Sequence, residues 1–280
     1  MSRVANILLT PIAWLGRPVV NFFAGAKGGV EAFARVFQLL WQTLYWTFIG
    51  PFTGKTRYRQ LVFPLMQQIG VRSLFIVCLV GFLVGFILIL NTADQLKQYG
   101  ALSKAPTMIC IAVVRELGPL MTAIVLSGRV GAAFTAGLGS MVINEEVLAL
   151  ETMGINPVGY LVAPRFIAIC VMLPCLTMFS YLVGNLGGLA AGNLMYNISL
   201  DVYWKTAMDA FAPVDMLAGL IKALVFAATI CMVACYNAFS VRGGPEGVGR
   251  NTMISVVNCL VAIIISDALV TAITAKYFWV

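Results

Sequence analysis

At 280 residues, 61% hydrophobic and only 10% charged, the chain is too apolar for a soluble domain and reads as a multi-pass membrane protein. The formal net charge of +7 does not point to nucleic acid, because the basic residues gather before the first span, where they suit a cytoplasmic anchor on anionic lipid. The seven cysteines all lie in apolar runs and read as small hydrophobes. With no histidine in the chain, Cys231 and Cys235, although on one helix face, make no metal site.

The apolar start is broken by Arg3, Pro11, Arg17 and Pro18, and no cleavable signal peptide is expected. Residues 21–52 carry Phe33, Phe37, Trp41, Tyr45 and Phe48 at helical spacing beside Lys27 and Arg35, which predicts a helix lying in the cytoplasmic interface. The apolar run 36–49 falls short of the about 20 residues a span needs. Pro51 and Gly54 end it. Residues 1–60 are therefore taken as an interfacial segment and 61–280 as the transmembrane domain.

The first span is expected over 71–92, with Gly81 and Gly85 forming a GxxxG face for close helix approach. Asn91, Asp94, Lys97 and Lys104 mark its aqueous exit. The second is placed at 105–127, with the small-residue stretch 128–140 extending it to the cytoplasm. Asn144 is expected to cap a short charged helix over 145–153, with Glu145 and Glu146 complementing its dipole and Gly154 and Pro157 stopping it. The third span is expected over 165–187, where Pro174 sits inside the helix. Residues 196–215 read as a polar loop, followed by the fourth span over 216–239. The glycine-rich stretch 242–250 reads as a basic turn, and the fifth span follows over 251–274. Counted through Arg72, eight Lys and Arg stand against Glu31 alone, so the positive-inside rule puts the N-terminus in the cytoplasm and, after five spans, the C-terminus outside.

Arg115 and Glu116 lie in apolar surroundings where a lone charge is costly, so each needs a partner. Adjacent helical residues do not face each other, and Asp267 in the fifth span is a candidate partner. Lys222 is expected to snorkel to the outer surface. These buried polar residues are either a packing lock or the polar lining of a lipid head-group path. That path is expected beside the first span, with Gly85, Ile87, Leu88 and Asn91 along it and Glu116 nearby. Walker A, HExxH and GxSxG motifs are all absent, and Gly244, Gly247 and Gly249 make a turn rather than a phosphate loop. No catalytic residue, bound metal or cofactor is assigned. The helix over 145–153 is either a plain connector or a coupling helix for an ATPase subunit. In the second case Val147, Leu148, Leu150 and Met153 are its anchors, and Glu145, Glu146 and Glu151 its rim.

The strings RELGP at 115–119, GRVGAAFTA at 128–136, EEVLALETMGINP at 145–157 and APRF at 163–166 resemble the MlaE-type permeases of lipid ABC transporters. The likeness runs from about Gly70 to about Ala272. It implies an all-α integral membrane fold: an interfacial N-terminal helix, five spans and a cytoplasmic coupling helix. It also implies a second permease subunit (a homodimer or a dimer of close relatives), an ABC ATPase that holds the ATP and Mg, an MCE-domain lipid-binding protein, membrane lipid as cargo and a bacterial inner-membrane location. The chain departs from the family's usual residues at Asn91, Gly137, Val142, Glu146 and Asn156. The rival readings are a secondary transporter and a membrane enzyme using Glu116 and Asp267 as acid and base.

Overall fold

The computed structural model describes residues 34–48 and 58–278, and among these it is all helical, without strands. Helix α1 covers 34–48. Its Val36, Leu39, Leu40 and Leu44 pack on the core, while Phe37, Trp41, Tyr45 and Phe48 form an exposed aromatic stripe along the opposite face. Trp46 lies where a Cβ on Gly159 would stand, 2.8 Å away, so only glycine lets the two helices meet there.

Five helices are long and apolar enough to cross a membrane. They are α2 (Tyr58–Gln98), α3 (Leu102–Ile143), α5 (Val158–Tyr196), α7 (Pro213–Phe239) and α8 (Gly244–Phe278). Two short helices connect them, α4 (Glu146–Thr152) and α6 (Leu200–Ala210). All five long helices outrun the expected spans, because hydropathy marks the stretch that suits hydrocarbon while the helix continues into polar surroundings. The expected loop 196–215 holds α6 and the first turn of α7. Ser199 caps α6 by accepting a bond from the Val202 amide, and Pro213 opens α7. The expected turn 242–250 is mostly the first turns of α8. The chain reverses at Gly243 and Gly244, both at positive φ.

The most extensive pairing is α2 against α5. It uses glycines from both sides. A Cβ on Gly85 would collide with the Gly184 carbonyl, and one on Gly187 with the Phe82 carbonyl, so the two backbones meet directly. The GxxxG pair of α2 thus serves packing within the chain. The larger core gathers α3, α5, α7 and α8 around Phe226, Ile230, Leu138 and Ile169, and a smaller one around Ile89, Ile109 and Tyr203 joins α2, α3, α5 and α6.

Helix α3 is not uniformly α-helical. Residues Val113–Leu117 and Ser127–Gly131 are wider π turns, as is Val158–Val162 at the start of α5. A π turn inserts one residue and shifts every later side chain around the helix, and such turns recur at functional sites. The first contains Arg115 and Glu116. Just beyond it, the Tyr181 ring is wedged between Gly118 of α3 and Gly219 of α7.

Candidate functional site

Arg115 and Glu116 leave the π turn in different directions. Arg115 reaches Asp215 in the first turn of α7 through two nitrogens, Nη2 to Oδ2 at 3.0 Å and Nε to Oδ1 at 2.8 Å. Of the two, only the Nη2 contact has hydrogen-bond geometry; Nε adds a close charge–charge approach. Glu116 turns towards α7 and α8. Lys222 donates to Glu116 Oε2 and to Thr271 Oγ1 (2.7 Å), and Thr271 donates to Glu116 Oε1 at 3.0 Å. Asp267, one turn before Thr271, places Oδ1 3.3 Å from Lys222 Nζ.

The Lys222 side chain is 1% exposed and Glu116 34%, so a sealed ammonium meets a carboxylate that opens at the edge of the bundle. A buried lone lysine would cost several kcal/mol, and this one is held by two carboxylates and a hydroxyl. With all groups ionised, the Lys222–Glu116–Asp267 cluster carries one surplus negative charge, while Arg115–Asp215 is neutral. Asp267, a candidate partner of Arg115 or Glu116, forms an ion pair with neither: Arg115 takes Asp215, and Glu116 and Asp267 lie side by side and share Lys222. The expected snorkelling of Lys222 is also corrected, since its ammonium points inward.

Two of the five charged residues here, Asp215 and Lys222, were assigned elsewhere from the sequence. Their spacing carried the signal. Asp215 follows Pro213 as an acidic residue in a helix's first turn. Lys222 follows seven residues later, two turns along the same face. Both of the cluster's carboxylates are engaged by Lys222. Among the described residues no group of His, Cys, Asp or Glu is placed to hold a metal ion.

The residues assigned to a path beside α2 are not gathered at this cluster. Gly85 is buried against α5, and Ile87 is exposed. Leu88 packs against the smaller core, and the exposed Asn91 donates its amide back to the Ile87 carbonyl at 3.1 Å. The partners of Glu116 lie on α7 and α8 instead.

At the opposite end of α3, α4 stands between two reversals. Glu145 enters at φ 59, left-handed for a non-glycine residue, and Gly154 leaves at φ 73. The amide of Ile155 bonds the Leu150 carbonyl at 2.9 Å, closing the helix. Asn144 does not cap α4; its amide donates to Glu146 Oε1 at 3.4 Å. The capping asparagine is Asn156, whose Oδ1 accepts from the amides of Val158 and Gly159 and opens α5 behind Pro157. Of the four expected anchors, Val147 and Leu150 turn inward against the core. Leu148 (55% exposed) and Met153 (65%) face out, with Glu145, Glu146 and Glu151 exposed around them.

The chain is similar to known proteins. The family model described as Permease MlaE matches residues 62–273. A probable ABC transporter permease protein of Rickettsia prowazekii is 34% identical over 219 residues, 78% of this chain and 85% of its own. One of Synechocystis is 36% identical over 202 residues, 72% of this chain and 77% of its own. The intermembrane phospholipid transport system permease protein MlaE of Haemophilus influenzae is 30% identical over 267 residues, 94% of this chain and 96% of its own.

Proposed function

As the chain belongs to the MlaE permease family, we propose that it is the membrane-spanning subunit of an ABC complex that moves phospholipid or a related lipid between the inner membrane and the outer envelope. The chain itself hydrolyses nothing. ATP and Mg belong to a separate ATPase subunit docked on α4. A second copy packs on the apolar outer face of α8, and an MCE-domain protein receives or delivers lipid at the far side. The polar cluster at Glu116, Lys222 and Asp267 supplies head-group contacts beside apolar helix faces.

The observation that carries this reading is α4: two exposed apolar side chains inside an acidic rim, on a helix fixed at both ends by backbone reversals. A connector has no need to present Leu148 and Met153 to water, whereas a docking helix buries them in a partner's groove. Val147 and Leu150 anchor α4 to the bundle, so movement of the partner is transmitted to α3 and α5. The test is co-purification with the co-expressed ATPase. Leu148→Asp combined with Met153→Asp is expected to abolish association, because each change puts a charge into a desolvated contact, while the melting temperature stays unchanged. Normal co-purification of the double variant would reduce α4 to a connector and remove this support.

A further inference from the structure

We propose that a polar cleft between the start of α3 and the end of α6 binds a zwitterionic head group, an amine joined to a phosphodiester. The cleft measures about 450 Å3 and is lined by Ser103, Lys104, Thr107, Thr206, Asp209 and Ala210. That volume lies within the range of about 300–1,000 Å3 typical of small-molecule sites. It belongs to a different part of the bundle from the Lys222 cluster and shares no residue with it.

Its electrostatics are unusual. Lys104 immediately precedes the α-helical part of α3, whose first turn holds no acidic residue. Asp209 lies in the last turn of α6, which holds no basic one. Helix ends favour the reverse: anions at the N-terminus and cations at the C-terminus. Each charge therefore adds to the potential of its own helix end instead of cancelling it. The two charges line one cleft, yet among the described residues neither side chain is engaged in an ion pair or hydrogen bond. A positive wall and a negative wall face a common space, and a ligand bearing a phosphate and a primary ammonium satisfies both.

The hydroxyls fit the same assignment. Ser103 and Thr107 flank Lys104 on the phosphate side. Thr206 donates its proton to the Val202 carbonyl at 2.7 Å, so its oxygen is left to accept from an ammonium beside Asp209. Exposed Met108, Met208 and Phe211 border the cleft residues in sequence and give apolar surface for a glyceride body, which favours a lipid over a free head group. This inference rests on phospholipid being the cargo class.

The test uses the full chain in nanodiscs holding equal amounts of phosphatidylethanolamine and phosphatidylglycerol, with retained lipid read by native mass spectrometry. The unmodified protein is expected to retain phosphatidylethanolamine preferentially. Asp209→Asn should cut that preference about tenfold, and Lys104→Gln should lower retention of both lipids. The charge exchange Lys104→Asp with Asp209→Lys should restore part of the preference, since a zwitterion can turn round in a reversed field. Water-soluble glycerophosphoethanolamine should compete. Equal retention in all variants, or no competition, overturns the proposal. ATP-driven transfer by the assembled complex separates the two readings. No phospholipid movement with the preference intact defeats the transport reading alone, whereas normal movement with a preference indifferent to both charges defeats this site alone.

Discussion

Lys222 decides the energetics at the scale of single residues. It is sealed inside the bundle and neutralises Glu116 while holding Asp267. Replacing it with methionine keeps the volume but leaves two carboxylates facing each other without a cation. Breaking a buried ion pair from one side costs about 3–5 kcal/mol, so Lys222→Met is expected to lower the melting temperature in detergent markedly. Adding Glu116→Gln and Asp267→Asn removes the stranded charges and should return most of the stability. Lipid transfer by the triple variant then distinguishes lock from lining: restored transfer means a lock, and lost transfer in a stable protein means that the charges serve the cargo. The sequence made Arg115, Glu116 and Asp267 visible because each interrupts an apolar run. It hid their partners. Asp215 was absorbed into an apparent loop, and the long stem of Lys222 suited snorkelling equally well. Which way a π turn directs two adjacent side chains is not written in hydropathy at all.

Among the helices, the α2–α5 seam is the tightest junction, and its tolerance is set by where the neighbouring backbone lies. Gly85 has the Gly184 carbonyl in the place of a Cβ, whereas Gly137, also within a helix, has nothing within 4 Å. Gly85→Ala is expected to force α2 from α5 and lower the melting temperature. Gly137→Ala should be neutral or stabilising by up to about 1 kcal/mol, since alanine is the better helix former. Equal effects at the two positions would mean that the seam is not closed in the membrane. The number and order of the spans were legible because each long helix holds an apolar window with at most two charged residues. Their ends were not. Helix α2 has 41 residues, about 60 Å at 1.5 Å per residue, against about 30 Å of hydrocarbon. The surplus is polar helix that composition alone renders as loop. Helix α6 was missed for the same reason, although Ser199 and the buried pair Tyr203 and Ala207, four residues apart, mark a cap and an inward face.

Across the whole molecule, the connections sort onto two ends. The α2–α3 link and helix α6 share one end, where α6 packs on α3. Helix α4 and the reversal at Gly243 share the other. Charge is distributed unevenly between them. Near the first end stand four basic residues, Lys97, Lys104, Lys205 and Lys276. At the second, Arg59 opens α2 and Arg242 and Arg250 flank Glu246, and in sequence six further Lys and Arg precede Tyr58. The three glutamates around α4 oppose that excess, but acidic residues contribute little to orientation, which follows Lys and Arg near the span ends. The α4 end is therefore expected in the cytoplasm, where an ATPase has access to it, and the α6 end on the far side. An odd number of crossings then puts residues 60 and 276 on opposite faces. Single cysteines at Thr152 and Asp201 check this with a membrane-impermeant maleimide. All seven native cysteines lie within the spans, out of its reach. Position 201 should label on intact cells and position 152 only after permeabilisation. The reverse pattern would invert the bundle and take α4 away from any cytoplasmic partner, and labelling of both positions from one side would mean that the number of crossings between them is even.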